Sequence, residues 1–218
     1  MKILLLSADC RAQSWPSKDV WVRLEHFRRD GAKHILEGMW DGGVEARAAE
    51  NAFCSPSHEH LRKGVVFART AGIEIDWRIV SAGFGLLKHT DQILPYAFGI
   101  AKRTLRDDLA FLETLRREVR EALESSYDLG LVLLSEPYLR AIYQVEAGLW
   151  DGRVLGIGVA AAPGWLPGVS WVEAGAGLRA RLGCGFGLLY GVAGQRVLEW
   201  PIVGSIEPLE AARAALEE

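Results

Sequence analysis

Three stretches of the sequence place polar side chains directly after an apolar run. They contain Asp9, Cys10 and Arg11, then residues 81–85, and then residues 135–138. If the three runs are neighbouring parallel strands, these stretches line one concave site, because open α/β sheets bind ligands beyond the carboxyl ends of their strands. Hydroxyl groups beside a helix N-terminus, which the sequence predicts after the third stretch, suit an anion such as a phosphate or a carboxylate. The thiol of Cys10 fits either a nucleophile or a small buried apolar group.

The second stretch continues into a glycine-punctuated loop that ends in Pro95 and Tyr96. Gly83 and Gly85 allow positive φ angles or a close approach of the backbone to a ligand, which favours a binding loop. The same residues also fit a tight connection in which the glycines serve the turn, Asp91 caps it and Pro95 ends an element. The residue types leave both interpretations open.

Strands and helices alternate along the chain, and together they must position these stretches. Apolar runs predict strands at residues 2–8, 129–134, 153–159, 170–173 and 196–202, and apolar residues that alternate with polar ones before the run becomes wholly apolar predict a strand at 73–81. Helical spacing predicts helices at 18–40 with a break at Gly31, from Ser57 as N-cap to Gly72, from Thr104 as N-cap through Leu123, from residue 136 after Ser135, and from Pro208. The alternation predicts an α/β fold, a single domain with a mostly parallel central sheet flanked by helices.

The C-terminal part of the chain is rich in glycine, since fifteen of the 24 glycines lie between residues 130 and 204. This predicts a loop-rich C-terminal elaboration on the α/β core, and it allows a subdivision into residues 1–150 and 151–218. The motif GFGLL occurs at 83–87 and at 185–189. Because the flanking residues do not repeat, we interpret the second copy as a coincidence.

Composition limits the classes of function. The net charge of -3 and the pI near 6.0 indicate no general affinity for nucleic acid, so any such contact needs a local patch. The three cysteines are an odd number at wide spacing, which predicts reduced thiols. No apolar run is long enough for a signal peptide or a membrane span, so we expect a cytoplasmic protein without membrane contact.

One cluster of residues has the types of a zinc site. Cys54, His58 and His60 offer a thiol and two imidazoles, which are ordinary zinc ligands. No second pair of cysteines or histidines follows at the spacing of a zinc finger, and Ser57 fits better as the cap of a helix. We therefore predict no metal site here.

Two segments carry a resemblance to known proteins. The run SAGFGLLKHTDQILPY, within residues 76–96, resembles the signature of the peroxide-stress protein YaaA family and of related uncharacterised domains found near nucleic-acid modification and phage-defence genes. The run LVLLSEPYLRAI at 131–142 is similar to a second segment of that family, with Ser135 and Tyr138 in matching places. The charged residues that follow the Pro-Tyr pair in the family are replaced here by residues 97–100, AFGI, and Glu136-Pro137 also departs from its pattern.

The resemblance implies a small protein that binds or acts on a nucleobase, a nucleotide or a nucleic acid in stress response or base modification. It implies that Ser81 and Ser135 hold an anionic or glycosidic group, and that Tyr96 and Tyr138 stack on the ligand or donate a proton. Asp9 or Asp91 would be the general base, and Cys10 the alternative nucleophile. Arg11, Gly83, Gly85 and Glu136 complete the predicted ligand-binding set.

Two other functions fit the same sequence. One is a non-enzymatic DNA-associated stress protein, which the resemblance also implies, and the other is an accessory subunit of a multigene defence or modification system. The chain has no GxSxG, HExxH, Walker A or dinucleotide fingerprint, so none of those named mechanisms is supported. The sequence does not decide whether the protein is an enzyme, which cofactor it uses, or its oligomeric state.

Overall fold

The protein has an α/β fold built on one central sheet, as the sequence predicts. The computed structural model describes residues 1–10, 13–15, 21–38, 44–104, 108–143, 152–200 and 207–218. The strands are β1 (Lys2–Ala8), β2 (Arg47–Ala48), β3 (Glu74–Ser81), β4 (Gly85–Lys88), β5 (Gln92–Ile93), β6 (Leu129–Leu133), β7 (Val154–Gly158) and β8 (Ser170–Glu173). The helices are α1 (Leu24–Gly38), α2 (Ala49–Ala52), α3 (Pro56–Thr70), α4 (Ile100–Thr104), α5 (Leu109–Glu124), α6 (Glu136–Ala141), α7 (Ala162–Trp165), α8 (Ala176–Leu182), α9 (Leu189–Glu199) and α10 (Pro208–Glu217).

The order of the strands determines where a ligand crevice can form. Six strands lie in the order β4, β3, β1, β6, β7, β8, and all neighbours are parallel except β4, which is antiparallel to β3. The chain moves from β1 outward to β3 and β4, and it then returns to β6 on the other side of β1. Strand order therefore reverses between β1 and β6, and open α/β sheets bind ligands beyond the carboxyl ends at such a point.

The central strands are buried on both faces. Residues 3–6 of β1 are at most 1% exposed, and every residue of β6 is buried. A continuous apolar run is typical of a parallel strand that helices cover on both sides, which is why these strands could be predicted. A polar atom between these strands is paired across the sheet, since the indole N–H of the fully buried Trp77 donates to Ser7 Oγ at 2.8 Å.

Helices α3 and α9 pack against each other, and here two predictions were wrong. The N-cap of α3 is Ser55, whose Oγ accepts from the His58 backbone N–H at 3.2 Å, and not Ser57. Ser57 Oγ instead accepts from the backbone N–H of Gly191 in α9 at 3.0 Å. Residues 196–199 continue α9 and do not form the predicted strand, while residues 201 and 202 lie outside the described residues.

The start of α5 also differs from the prediction. Thr104 is the last residue of α4, and its hydroxyl donates to the Ile100 carbonyl at 3.3 Å, so it does not cap α5. Helix α5 begins after Asp108, and Leu109 is 60% exposed. The sequence predicts an apolar stripe along this helix, and four of its members are confirmed as buried: Leu112, Leu115, Val119 and Leu123. Its first member, Leu105, lies outside the described residues.

Several other predicted elements are confirmed. The strands near 153–159 and at 170–173 are β7 and β8, the C-terminal helix is α10, and Gly31 breaks α1 with a φ of 74°. Between residues 176 and 199, however, the glycine-rich part of the chain forms α8, a short 3-10 helix and α9, so it is less loop-rich than predicted. No helix within the described ranges is long and apolar enough to cross a bilayer.

Candidate functional site

Asp9 lies at the carboxyl end of β1, and its carboxylate accepts three hydrogen bonds. Oδ2 accepts from the Tyr96 hydroxyl and from the Ala82 backbone N–H, the latter at 2.8 Å, and Oδ1 accepts from the Tyr138 hydroxyl. Asp9 is 8% exposed. Burial raises the pKa of Asp9, and the donated hydrogen bonds offset only part of this effect. A carboxyl with a raised pKa is a candidate general acid or base.

A chain of hydrogen bonds stands behind Asp9. The backbone N–H groups of Gly83 and Phe84 donate to Ser81 Oγ at 3.2 Å and 3.1 Å, and Ser81 Oγ lies 2.8 Å from the Tyr96 hydroxyl. Because Ser81 already accepts two amides, its own proton points to Tyr96, and the Tyr96 proton is then directed at Asp9. Burial raises the pKa of Tyr96 well above its usual range, so the phenol remains a donor.

Arg103 holds the loop that carries the Ala82 amide. Its guanidinium donates to the carbonyls of Ala82 and Gly83 at 2.6 Å and 3.1 Å, and it pairs with Asp108 at 2.5 Å. The side chain is 4% exposed and lies 3.9 Å from the centre of the Phe111 ring. A buried guanidinium with these partners fixes the loop backbone, because a rearrangement of the loop would leave two buried N–H groups of Arg103 without acceptors.

The described part of the chain encloses a cavity of about 320 Å³ in front of Asp9. It is lined by residues 7–10 of β1 and its end, by Leu133 and Ser135 at the end of β6, by Tyr138 of α6, and by residues near the N-termini of α3 and α9: Ser55, Ser57, His58, Leu61, Phe186, Gly187, Tyr190 and Gly191. The cavity therefore opens where the strand order reverses. Its volume is at the lower end of the range of small-molecule sites.

His58 contributes an uncharged imidazole to this cavity. Its ring stacks on Trp77 with centroids 5.0 Å apart, and Nε2 lies 3.1 Å from the Glu50 carbonyl oxygen. A carbonyl can only accept, so Nε2 carries the proton and Nδ1 is the acceptor of the ring. Burial lowers the pKa of His58 to about 4, so the ring is neutral at physiological pH.

Tyr190 presents an unsatisfied polar atom at the cavity wall. Its hydroxyl oxygen is buried and has no hydrogen-bond partner among the residues that the structure describes. Burial raises the pKa of Tyr190, and the nearby Glu136 carboxylate adds to this effect. A buried hydroxyl without a partner is unusual in a native protein.

Cys10 borders the cavity but is not activated as a nucleophile. Burial raises the pKa of its thiol, while hydrogen bonds from the side chain and backbone of Ser55 and from the Cys54 backbone oppose the shift. The neighbouring Asp9 also favours the neutral thiol. Because the thiolate is the reactive species, this environment favours a structural role for Cys10.

The structure brings together some of the predicted site residues and separates others. Asp9, Cys10, Ser135 and Tyr138 line the cavity, whereas Ser81 and Tyr96 are at most 2% exposed and lie behind Asp9. Ser135 precedes α6, but its side chain makes no capping hydrogen bond. Arg11 lies outside the described residues.

Asp91 and Glu136 have other partners. Asp91 Oδ2 accepts from the Lys88 backbone N–H at 2.8 Å and closes the turn between β4 and β5, away from the lining of the cavity. Glu136 forms an ion pair with Arg140 at 2.6 Å on the outside of α6.

The two glycines of the predicted binding loop serve packing and the turn. A Cβ at Gly83 would lie 3.0 Å from the Tyr96 ring and 3.1 Å from Phe27. Gly85 has a φ of +79° where the chain reverses into β4. These contacts favour the turn interpretation over direct contact with a ligand.

The residues that α3 and α9 bring to the site are not among the ligand-binding residues that the sequence predicts. Serines beside a proline indicate a helix N-terminus at Ser55 and Ser57, and His58 fits the type of a zinc ligand, but neither pattern predicts a place in this cavity. Phe186 and Tyr190 carry no such signal, because their position depends on the contact between α9 and α3.

No protein-family model matches the chain, and no curated protein matches its sequence. The function must therefore be argued from the site itself. Within the described residues, no group of three or more His, Cys, Asp or Glu side chains could hold a metal ion. Of the zinc-like cluster, His58 bonds the Glu50 carbonyl, and His60 Nδ1 lies 2.7 Å from Gln195 Oε1.

Proposed function

We propose that the protein binds, and acts on, a nucleobase-containing small molecule in the cavity between the ends of β1 and β6. The observation on which this depends most is the buried Asp9 carboxylate, which two tyrosine hydroxyls and a backbone amide hold at the cavity wall. Such a group recognises a neutral donor such as an N–H or O–H of the ligand, and its raised pKa suits proton transfer.

The aromatic residues of the cavity support a planar ligand. Tyr138, Phe186 and Tyr190 belong to its lining, and Phe186 is 53% exposed although it is a large apolar side chain. Stacking of a base on an aromatic ring contributes roughly 1–3 kcal/mol. The His58 acceptor adds a polar group that could read the edge of a base.

The resemblance to the YaaA family points to the same class of ligand. In this proposal, some of the residues that the resemblance implies contact the ligand directly, and others lie behind them. Asp9 and Tyr138 contact the ligand, while Ser81 and Tyr96 position Asp9. A carboxylate at the cavity wall disfavours an anion in contact with it, so the proposal replaces the phosphate expected from the sequence with the neutral base.

The test is calorimetric binding of adenine, guanine, cytosine and uracil, and of their nucleosides, to the wild-type protein and to Asp9→Asn. We expect at least one probe to bind, and we expect Asp9→Asn to weaken it by roughly tenfold or more, because the charged acceptor is lost. Asp91→Asn is the matched control, since it removes a carboxylate that only closes a turn. Equal binding by both variants, or no binding to the wild type, would reject the proposal.

Two further measurements, combined with the result for nucleosides, separate the two other functions. Binding of duplex DNA with a steep salt dependence and no binding of nucleosides would favour the DNA-associated stress protein. Stable co-purification with a second protein, again without ligand binding, would favour the accessory subunit.

A further inference from the structure

A second cavity adjoins the first at Asp9. It has a volume of about 190 Å³ and shares Asp9, Cys10 and Tyr138 with the larger cavity. Its other walls are largely apolar and come from the start of α4 and from the residue before Tyr138: Phe98, Gly99, Ile100, Ala101 and Pro137. Tyr138 therefore belongs to both cavities, and the Asp9 carboxylate lies where they meet.

The Asp9 carboxylate has capacity for one more donor. Its two oxygens offer about four acceptor positions. Tyr96 and the Ala82 amide use two on Oδ2, and Tyr138 uses one on Oδ1. A further hydrogen bond to Oδ1 would complete the set, and a neutral hydroxyl is the donor that suits a carboxylate without adding a charge to a buried place.

We infer that the ligand is a nucleoside whose base occupies the larger cavity and whose sugar extends past Asp9 into the smaller one. This inference rests on the proposed function and adds the substrate class. The larger cavity has the aromatic rings that a base stacks on, and the smaller one has the volume for a smaller group. A sugar hydroxyl donates to Asp9 Oδ1, as acidic side chains at strand ends do with the ribose of dinucleotides.

One glycine in the lining of each cavity allows a side chain to be added to that cavity's wall separately. Gly187 lines the larger cavity and Gly99 the smaller one, and a Cβ added at either position would meet no atom within 4 Å. Neither glycine has a positive φ, so Gly187→Leu and Gly99→Leu place a side chain in open space without straining the backbone. Melting temperatures of both variants are compared with wild type, since Gly99 directly precedes α4.

The probes are paired bases and nucleosides, for example adenine with adenosine, and the matching 2′,3′-dideoxynucleoside. We expect the nucleoside to bind wild type roughly tenfold or more tightly than its base, because a hydrogen bond to a charged acceptor is gained. The dideoxynucleoside should lose this advantage. Gly99→Leu should weaken the nucleoside to the level of the base and leave the base unchanged, whereas Gly187→Leu should weaken both.

The outcomes distinguish the two proposals. If base and nucleoside bind equally and Gly99→Leu changes neither, the second subsite does not exist, while the proposed function stands. If the dideoxynucleoside binds as tightly as the nucleoside, Asp9 is not the acceptor for the sugar, and the inference is wrong. If neither probe binds wild type, both proposals are rejected.

Discussion

The charge of Asp9 results from two opposed effects at one residue. Burial disfavours the carboxylate, while three donated hydrogen bonds favour it, and the pKa is raised on balance. A carboxyl whose pKa is higher in the folded state contributes stability below its unfolded pKa, and this contribution is lost as the pH rises through the folded pKa. Asp9 thus stabilises the fold less at neutral pH than at low pH, which is typical of a residue retained for function.

Tyr96→Phe tests the hydrogen-bond chain. The substitution removes the donor to Asp9 and the acceptor of the Ser81 proton, so we expect a loss of roughly 1–3 kcal/mol in the free energy of unfolding at neutral pH. The pKa of Asp9 should rise further, because the Tyr96 hydrogen bond lowers it. Urea unfolding at several pH values and a carbon-13 NMR titration of the Asp9 carboxyl measure the two effects.

Tyr127→Phe is the control for this prediction. It removes an equally buried hydroxyl, which donates to the Leu123 carbonyl far from Asp9. We expect a loss of about 1 kcal/mol and no change in the Asp9 titration. If both variants leave the titration of Asp9 unchanged, the chain does not act on Asp9.

His58 is expected to make the free energy of unfolding fall as the pH falls, whereas Asp9 makes it fall as the pH rises. The pKa of His58 is lowered to about 4, so its contribution is complete above the unfolded value near 6.5 and is lost as the pH falls from 6.5 towards 4. The full shift corresponds to about 3 kcal/mol. We expect His58→Gln to be less stable than wild type at pH 7.5, and we expect this difference to shrink by up to that amount at pH 4.

Urea unfolding of wild type and His58→Gln at the two pH values measures this change. His60→Gln, on the same helix and bonded to Gln195, controls for the loss of an imidazole elsewhere. A stability difference for His58→Gln that is the same at pH 7.5 and pH 4 would contradict the prediction.

At the scale of elements, the contact between α3 and α9 positions half of the cavity lining. Gly191 of α9 lies so close to α3 that a Cβ would be 1.9 Å from the Ser57 carbonyl oxygen. At Gly194 the obstacle is softer, since the nearest atoms belong to the side chains of Leu133 and Leu61. The two glycines bring Tyr190 and Phe186 to the site by letting two helices approach closely.

Gly191→Ala is therefore expected to be severely destabilising, by about 3 kcal/mol or more, because backbone atoms would have to move. Gly177→Ala in α8 is the matched control, since the nearest side-chain atom to its Cβ would be in the Arg181 guanidinium, 3.8 Å away. Alanine is the better helix former, so this variant should gain roughly 0.5–1 kcal/mol. Thermal unfolding of both variants tests the pair, and a neutral Gly191→Ala would show that α9 does not pack as described.

The pentapeptide GFGLL shows how context decides an element. At 83–87 it turns the chain from β3 into β4, with Gly85 at a φ of +79°. At 185–189 the same residues form a 3-10 turn that leads into α9. Local sequence is identical, so the neighbours that each copy packs against determine the difference.

At the scale of the whole molecule, one sheet joins both parts of the chain. β7 and β8 extend the sheet that begins with β1, and α10 packs on α9 and β7. We expect one cooperative unfolding transition, with the same midpoint by far-ultraviolet circular dichroism and by tryptophan fluorescence, because Trp77 and Trp171 lie in strands of the same sheet. Two separate transitions, or a stable fragment ending near residue 150 after mild proteolysis, would contradict this expectation.

The amino-acid sequence by itself determined the strands and the polar residues that follow them. Continuous apolar runs identify β1 and β6, which is typical of parallel strands covered on both faces, and β3 is identified by its alternation of apolar and polar residues. Asp9, Ser135 and Tyr138 could be named as site residues for this reason. The strand predicted at 196–202 failed because a short apolar pattern fits a strand or a helix equally well.

Only the tertiary structure decided which residues meet. Tyr96 reaches Asp9 across 87 positions of the chain, and Gly191 reaches Ser57 across 134. From the sequence, Asp91 and Tyr96 are both candidate catalytic residues. In the structure Asp91 closes a turn, whereas Tyr96 donates to the buried Asp9 carboxylate. Contacts over such separations depend on the packing of whole elements, which local residue patterns do not encode.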